Sequence, residues 1–392
     1  MEAFYRTHAY LVEHNNAPVR RDLMDEIDWN DRLIGIKGTR GVGKTTFLLQ
    51  YAKEKFGTDR SCLFINMNNF YFAGHSIIEF ADEFQSKGGK VLLIDQVFKY
   101  DGWSEELRIC YERFPNLKIV FTGSSVMRLK EENLELGNIV KSYNLRGFSF
   151  REFLNLQTGM RFRSYTLEEI LNNHEQIAKG ILSKVKPLDY FQDYLHHGFY
   201  PFFLEKRNFS ENLLKTMNMM IEVDILLIKQ IELKYLPKIK KLLYLLAVEG
   251  PQAPNVSQLA NDIQTSRATV MNYIKYLADA RLINMIYPKG EGFPKKPSKI
   301  MMHNTNLMYS IYPLKVDEQD VLDTFFLNTM YKDHTLNKGD KNSSFLVDNS
   351  MPFKICCEGH KIKNNPDVTY AIHKTEIGRN NQVPLWLFGF LY

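Results

Sequence analysis

The chain has 392 residues, of which 44% are hydrophobic and 24% charged, and its formal net charge is +5 at pH 7. This length predicts two or three domains, and the composition is typical of a soluble globular protein. No run approaches the roughly 20 apolar residues of a membrane span. The four cysteines are too few and too irregularly spaced for a disulfide framework or a zinc site. Because no secretory signal is visible, we expect a cytoplasmic protein without membrane contact.

The first informative segment is an apolar run at residues 33–36, followed by a glycine-rich turn and a predicted helix at 46–56. The turn matches the pattern G-x-x-x-x-G-K-[ST] of a phosphate-binding loop between a strand and a helix. Its glycines let successive N–H groups point at phosphate oxygens. We expect Lys44 to reach the β- and γ-phosphates and Thr45 to hold Mg²⁺. The predicted nucleotide-binding residues are Gly38, Thr39, Arg40, Gly41, Val42, Gly43, Lys44, Thr45 and Thr46.

Another buried strand is predicted at residues 91–95, and it ends in Asp95. Ligands of open α/β sheets bind at the carboxyl ends of the strands, so Asp95 is expected to share the Mg²⁺ site with Thr45. A turn-forming aspartate is the alternative. The next residue, Gln96, carries an amide that can position a water molecule but cannot accept its proton.

Three further strands are predicted at residues 61–66, 118–122 and within 139–145. Five strand–helix units with a phosphate-binding loop after the first strand predict an α/β fold with a doubly wound parallel sheet. Ser124, just after the fourth strand, is the candidate sensor of the γ-phosphate, and Ser125 is the alternative. Either serine could instead cap a helix that begins at residue 126.

The same residues carry a resemblance to a known family. The segments that carry it are 38–45, Leu-Leu-Ile-Asp at 92–95, Lys-Tyr at 99–100, Phe-Thr-Gly-Ser-Ser at 121–125 and Leu-Arg-Gly-Phe-Ser-Phe-Arg-Glu-Phe at 145–153. They resemble the AAA+ superfamily, and within it the prokaryotic predicted ATPases that join an AAA domain to a C-terminal domain of unknown function. The resemblance implies an ATP-binding core at residues 1–147 and a helical lid at 148–233.

The chain departs from this family beside Asp95. The family's usual pair is Asp-Glu followed shortly by His, whereas this chain has Gln96 and then Phe98. We therefore expect nucleotide binding with slow or absent hydrolysis, and Glu105 and Glu106 are the candidates to compensate. Proteins of this superfamily often present an arginine to the γ-phosphate. The arginines near enough in sequence are Arg128, Arg146 and Arg151, of which none is singled out.

Residues 234–302 carry the pattern of a winged helix. The predicted helices and strands lie at 238–248, 257–263, 266–280, 282–287 and 298–302. Residues 229–300 contain 12 Lys and Arg against 5 Asp and Glu, a net of +7, which leaves −2 for the rest of the chain. This asymmetry favours DNA binding through residues 257–300, with Arg267 and Lys275 exposed on the third helix. Packing between domains is the alternative.

Residues 303–392 are predicted to be mixed α/β, and in the resembling family this region is similar to the restriction-endonuclease fold. An active form needs a helix Glu, a strand Asp and a Glu-x-Lys cluster to hold a metal. The corresponding positions here are Asp323, Ser343 or Ser344, and Cys356, Cys357 and Glu358, so most of these carboxylates are gone. Asp348 or Glu358 is left as a shifted ligand. The apolar end at 384–392 predicts a packed last strand.

Together these patterns predict a Mg²⁺-ATP-binding protein that acts as a slow ATPase or as a nucleotide-dependent switch. Its predicted catalytic residues are Lys44, Gln96 and Ser124, and its predicted metal ligands are Thr45 and Asp95. An ATP-stabilised DNA-binding regulator is the alternative, and a metal-dependent nuclease is a third hypothesis. The expected partners are ATP or ADP, DNA, and a protein or a second copy of the chain. No guanine-reading Asn-Lys-x-Asp run follows the fourth strand, which favours ATP.

Overall fold

The computed structural model describes residues 1–127, 134–205, 208–357 and 365–392. The chain divides into two units, Met1–Gly147 and Phe148–Tyr392, each described here by itself. Within the described ranges, no helix combines the length and the apolar character that crossing a membrane requires. The inner boundaries expected after residues 233 and 302 stay predictions.

The first unit is built on a parallel sheet whose central strands are almost entirely buried. The strands are β1 (Leu33–Gly38), β2 (Cys62–Asn66), β3 (Val91–Asp95), β4 (Lys118–Ser124) and β5 (Lys141–Asn144). Their order is β2-β3-β4-β1-β5, and every neighbouring pair is parallel. The predicted α/β core with five parallel strands and a phosphate-binding loop after β1 is therefore confirmed.

Helices pack on this sheet, and their starts follow from local sequence. They are α1 (Glu2–His14), α2 (Leu23–Glu26), α3 (Lys44–Lys55), α4 (Ile77–Ser86), α5 (Trp103–Arg113) and α6 (Leu134–Gly137). α4 begins with a capping box, in which Ser76 and Glu79 satisfy each other's backbone N–H groups. α3 begins directly after the loop residue Gly43, so the N–H groups of its first turn remain available to a ligand.

The second unit opens with a long series of helices. They are α7 (Phe150–Thr158), α8 (Leu167–Leu182), α9 (Leu188–Asp193), α10 (Phe209–Met219), α11 (Leu226–Lys229), α12 (Leu236–Glu249), α13 (Val256–Asp262), α14 (Arg267–Asp279), α15 (Thr305–Ile311) and α16 (Glu318–Met330). Two π-helical segments, Tyr194–Gly198 and Met220–Ile225, continue α9 and α10. Capping boxes at Ser149 and Thr166 start α7 and α8.

Two sheets complete this unit. β6 (Ile283–Ile286) and β7 (Lys299–Met302) form an antiparallel pair. The larger sheet contains β8 (Leu336–Lys338), β9 (Phe345–Val347), β10 (Met351–Cys356), β11 (Thr369–Ile372) and β12 (Gln382–Pro384). Its order is β12-β11-β10-β9-β8, with antiparallel pairing from β8 to β10 and parallel pairing from β10 to β12.

The end of the chain differs from the prediction. The apolar run at 384–392 predicts a packed strand, but β12 ends at Pro384 and a 3₁₀-helix, Leu385–Phe390, follows. All six residues of this helix are buried. A segment that is apolar on every side shows neither the period of a strand nor that of a helix, so its pattern could not distinguish the two.

One hydrophobic core joins the beginning and the end of the second unit. The ring centroids of Phe191 in α9 and Phe325 in α16 are 4.9 Å apart, in an edge-to-face arrangement. Phe150 in α7 packs against Phe191 at 5.0 Å and against Phe390 at 6.1 Å. The helices predicted as a lid therefore share their core with the C-terminal sheet.

Candidate functional site

The loop between β1 and α3 is tightly curled by its glycines. Gly41 and Gly43 have φ angles of 86° and 92°, which other residues rarely adopt. At Gly38 an added Cβ would lie 2.4 Å from the carbonyl oxygen of Leu145. The side chain of Val42 is fully buried. The backbone therefore requires glycine where the phosphate-binding pattern has it.

The lysine of the loop folds back onto the loop itself. Lys44 Nζ donates to the carbonyl oxygens of Gly38 and Thr39 at 2.8 and 2.9 Å. The ammonium group thus lies against the curl of the backbone, where it can meet the oxygens of a phosphate group. Of the other predicted nucleotide-binding residues, Thr39 is buried, Arg40 half-buried and Thr46 exposed.

Three side chains meet at Asp95, at the carboxyl edge of the sheet. Asp95 Oδ2 accepts hydrogen bonds from Thr45 Oγ1 at 2.8 Å and from Asn66 Nδ2 at 3.0 Å. Asp95 Oδ1 accepts one from Thr122 Oγ1 at 2.5 Å. The carboxylate is buried, so these donors take the place of water. The structure therefore brings together Thr45 and Asp95, the two predicted metal ligands.

Sequence reasoning missed Asn66 and Thr122. Asn66 ends β2 and is paired in register with Asp95 at the end of β3. Thr122 lies two residues before Ser124 on β4, and side chains two apart on a strand point to the same face. This period of two was the available signal, because the strand was already predicted to end at the ligand-binding edge.

Ser124 lies at the entrance of the loop. It is the last residue of β4 and is paired in register with Gly38 at the end of β1. The side chain is buried, and its Oγ accepts the N–H of Val126 at 3.3 Å. Of the helix at residues 126–130 that a serine here could cap, residues 128–130 lie outside the described residues.

Gln96 has an unusual backbone conformation. Its φ of 57° and ψ of 47° are left-handed, which costs a residue with a side chain about 1–2 kcal/mol. Its N–H donates to Thr122 Oγ1 at 2.9 Å. One hydroxyl therefore holds both Gln96 and Asp95. Strain of this kind concentrates at functional sites, where the surroundings maintain it.

Glu106, one of the two glutamates considered for compensation, has a structural task. Its Oε2 accepts from the N–H groups of Ile77 and Ile78 at 2.7 and 3.3 Å, and its Oε1 from the hydroxyl of Tyr100 at 2.7 Å. Burial, together with this carboxylate, raises the pKa of Tyr100 to about 12. Glu106 therefore supports the first turn of α4. Glu105 is exposed on the first turn of α5.

No arginine finger is assigned from the three candidates. Arg128 lies outside the described residues. Arg151 is buried in the second unit, where it donates to the carbonyl oxygens of Tyr392 at 3.0 Å and Phe162 at 3.1 Å. These bonds tie α7 to the end of the chain. Arg146 is half-buried directly after β5.

The oxygen atoms of Thr45 and Asp95 fit a magnesium ion as ligands. Mg²⁺ is usually bound by one or two carboxylates together with substrate phosphates and water. Thr45 and Asp95 offer a hydroxyl and a carboxylate whose oxygens are 2.8 Å apart. Across the described ranges, no group of three or more His, Cys, Asp or Glu side chains is placed to hold a metal alone. A magnesium ion here would therefore need phosphate oxygens to complete its shell.

A comparison with protein families gives a match that includes this loop. Residues 30–154 match the family model of an AAA domain. Most of this match lies in the first unit, which is therefore similar to an AAA domain. The match supports the AAA+ ATPase family, and membership of that family implies nucleotide binding, usually with Mg²⁺. Residues 188–319 match a domain of unknown function, DUF8612.

The other similarities are more distant. Over 289 residues the chain is 29% identical to the uncharacterized protein MJ1637 of Methanocaldococcus jannaschii, covering 69% of this chain. The chain spans 60% of the length of that curated relative.

Several solved structures are weakly similar to the chain. RuvB of Thermotoga maritima is 15% identical with a TM-score of 0.30, covering 81% of this chain and 96% of that one. The Aeropyrum pernix ORC1 protein in complex with DNA is 10% identical with a TM-score of 0.31, covering 80% and 92%. AMPPCP-bound DnaA from Aquifex aeolicus is 14% identical with a TM-score of 0.27, covering 66% and 86%. With TM-scores this low, these similarities do not indicate a function for this chain.

Outside the AAA domain, the positions considered for a nuclease are engaged in internal bonds. Asp323 is buried, and its carboxylate meets Lys299 Nζ at 3.1 Å and Gln319 Nε2 at 2.8 Å. Cys357 Sγ donates to Gln319 Oε1 at 3.1 Å. Lysine thus already compensates the charge of the carboxylate that the nuclease hypothesis needs. Burial raises the pKa of the Cys356 thiol.

The remaining candidate ligands are also accounted for. Asp348 lies just after β9, where it accepts the N–H of Thr335 at 2.8 Å and contacts His334 Nδ1 at 2.6 Å. Ser344 Oγ accepts the N–H of Ile355 at 3.2 Å. Glu358 lies outside the described residues.

Many positive charges of residues 229–300 are engaged within the protein. Among the described residues, the lysines that contact carboxylates or carbonyl oxygens include Lys229, Lys234, Lys238, Lys240, Lys241, Lys275, Lys289, Lys295 and Lys299. The prediction that Lys275 is exposed is wrong, because its side chain is only 22% exposed and lies 2.7 Å from Asp279, one helical turn away. Arg267, Lys295 and Lys296 are exposed.

Proposed function

We propose that the protein binds Mg²⁺-ATP in its AAA domain and acts as a slow ATPase or as a nucleotide-dependent switch. The observation that supports this most directly is the 2.8 Å contact between Thr45 of the loop and Asp95 at the end of β3. It joins a loop shaped for phosphate to a buried carboxylate. A Mg²⁺-bound triphosphate is held by this combination of groups.

Each side chain has its own task in this proposal. Backbone N–H groups of the loop and of the first turn of α3 bind phosphate oxygens, and Lys44 balances their charge. Thr45 and Asp95 hold Mg²⁺, which supplies positive charge to the phosphate oxygens when it is bound. Gln96 positions a water molecule by hydrogen bonding, and Ser124 senses the γ-phosphate.

Gln96 is the reason to expect little turnover. Its amide cannot take a proton from an attacking water molecule at neutral pH, as the carboxylate of a glutamate would. The nucleotide then acts mainly through conformation, on a helical lid at 148–233, a winged helix at 234–302 and a C-terminal module at 303–392. A cytoplasmic location and a protein or homo-oligomeric partner stay predictions.

Steady-state phosphate release from ATP distinguishes the two forms of the proposal. The wild type is compared with Lys44→Ala and with Gln96→Glu. Turnover by the wild type but not by Lys44→Ala means that Gln96 suffices to place water. Turnover by Gln96→Glu alone means a nucleotide-binding switch. If none of the three turns over and ATP does not raise the melting temperature of the wild type, the proposal is refuted.

DNA binding is a second candidate function, favoured by the surface of α14 and the segment after β6. α12, α13 and α14 are followed by the antiparallel pair β6 and β7, which is the element order of a winged helix. Arg267 and Asn272 are exposed on α14, and Phe293, Lys295 and Lys296 between the two strands. Exposed cationic and polar side chains on a helix and an adjoining loop can contact a DNA backbone.

A salt titration of binding to a short DNA duplex tests this second function. Arg267→Glu combined with Lys296→Glu should weaken binding and reduce its dependence on salt. Lys215→Glu is the control, since Lys215 is well exposed on α10, outside residues 257–300. No binding at low ionic strength excludes this function. Cutting of the duplex that requires Mg²⁺ and survives Lys44→Ala would instead support the nuclease hypothesis.

A further inference from the structure

A buried arginine, Arg21, donates a hydrogen bond to the backbone of the phosphate-binding loop. Arg21 precedes α2 and is 8% exposed. Its Nη1 donates to the carbonyl oxygen of Val42 at 3.3 Å, and its Nη2 to those of Arg146 and Gly147 at 2.7 and 3.0 Å. Val42 lies inside the loop, whereas the other two residues follow β5. One guanidinium group therefore links the loop to the segment after the edge strand.

The Val42 carbonyl determines the direction of an N–H group that a phosphate would use. The peptide bond between Val42 and Gly43 is trans. In a trans peptide the C=O and the following N–H point in opposite directions. Because Arg21 holds the carbonyl of Val42, the N–H of Gly43 is directed away from Arg21.

Nothing in the residue type at position 43 fixes this direction. Gly43 has no Cβ and adopts a φ of 92°, so its backbone is intrinsically permissive. The buried side chain of Val42 anchors the loop but leaves the rotation of its peptide groups open. A fixed donor on the Val42 carbonyl removes that freedom before a ligand arrives, and preorganised donors bind more tightly.

We propose that Arg21 is a positioning residue for nucleotide binding, which holds the Val42 carbonyl so that the Gly43 N–H is presented to the phosphate groups of a nucleoside di- or triphosphate. The inference rests on the proposed function of the AAA domain. The positive charge of the Arg21 guanidinium also adds positive potential on the side of the loop where Arg21 lies. The neighbouring Arg20 has a different role, since it pairs on the surface with Asp25 and Glu54.

Titration of fluorescent ATP and ADP analogues in Mg²⁺ tests this role in the full chain. Arg21→Gln should weaken both nucleotides by about tenfold or more, and Arg21→Lys by less, since lysine keeps the charge and part of the bonding. Arg20→Gln should bind as the wild type does. A merely structural arginine would lower the melting temperature without nucleotide but leave the affinity of the folded protein unchanged.

The inference is overturned if Arg21→Gln and Arg21→Lys are both folded by circular dichroism and both bind the two nucleotides as tightly as the wild type does. If Arg21→Gln does not fold, the same comparison with Arg21→Lys decides. A wild type that binds no better than Lys44→Ala refutes the proposed function, and the role of Arg21 with it. If the wild type binds nucleotide well and the Arg21 variants bind it equally well, only the role of Arg21 is refuted.

Discussion

Thr45 and Asp95 are 50 residues apart in sequence, yet the hydroxyl of the first donates to the carboxylate of the second over 2.8 Å. The sheet order explains the meeting. β4 lies between β1 and β3, and α3 starts from the loop after β1 and packs against β3. Its first turn thereby reaches the carboxyl end of the strand that carries Asp95. The candidate magnesium site is thus a product of the sheet as much as of the loop.

Replacing Thr45 with alanine should weaken ATP binding mainly in the presence of Mg²⁺. The methyl group offers no oxygen to a metal and no hydrogen bond to Asp95, so the Mg²⁺-dependent gain in affinity should fall by about tenfold. The measurement is the Kd of ATP in Mg²⁺ and in EDTA. Thr7→Ala, at an exposed position on α1, is the matched control. If the ratio of the Kd in EDTA to the Kd in Mg²⁺ is the same for Thr45→Ala and the wild type, Thr45 does not bind the metal.

Replacing Glu106 with glutamine should destabilise the first unit. The carboxylate accepts two backbone N–H groups of α4 and the hydroxyl of Tyr100, and losing its charge should cost about 2 kcal/mol of the free energy of unfolding. Glu105→Gln, one residue earlier and exposed, should change it by less than about 0.5 kcal/mol. Urea unfolding of both variants gives the values. Lost phosphate release with unchanged stability in Glu106→Gln would instead assign this residue to catalysis.

Removing the carboxylate of Asp323 should be costly, because it leaves the partly buried ammonium of Lys299 without its nearest charge partner. We expect Asp323→Ala to lower the free energy of unfolding by about 3 kcal/mol. Lys295→Gln, which disrupts an exposed pair with Glu291, should cost less than about 0.5 kcal/mol. Urea unfolding of the full chain measures both. Equal losses in the two variants would contradict a structural role for the buried pair.

The second unit should lose stability as pH rises through the titration of Asp320. Burial, with Asp317 and Asp323 nearby, raises the pKa of Asp320 from its ordinary 3.8 to about 6. Between these values the folded protein keeps a proton that the unfolded chain has released, so the free energy of unfolding falls with rising pH. Asp320→Asn should therefore melt higher than the wild type at pH 7, and the difference should shrink toward pH 4.

Melting curves at both pH values test this dependence. Asp189→Asn, exposed in the first turn of α9, is the matched control and should show no such trend. A benefit of Asp320→Asn that is equal at both pH values would mean that the carboxylate is not ionised differently in the folded and unfolded states.

Local sequence was enough for most of the framework. β1 to β4 of the first unit each contain a short apolar run. A capping box at Ser76, Ser149 and Thr166 marks the start of a helix in each case. The glycines and Lys44 of the loop likewise define a phosphate-binding turn within eight residues. Such features depend on neighbours a few positions away, so the order of residues specifies them.

The contacts that complete the site belong to the tertiary structure. Asn66 and Thr122 meet Asp95 only because β2, β3 and β4 lie side by side in one register. Arg21 reaches Val42 through folding alone, and no motif places them together. The exposure of Lys275 and the 3₁₀-helix after Pro384 also escaped the sequence patterns. Each depends on which distant groups come into contact, and such contacts follow from sheet register and core packing rather than from local backbone preference.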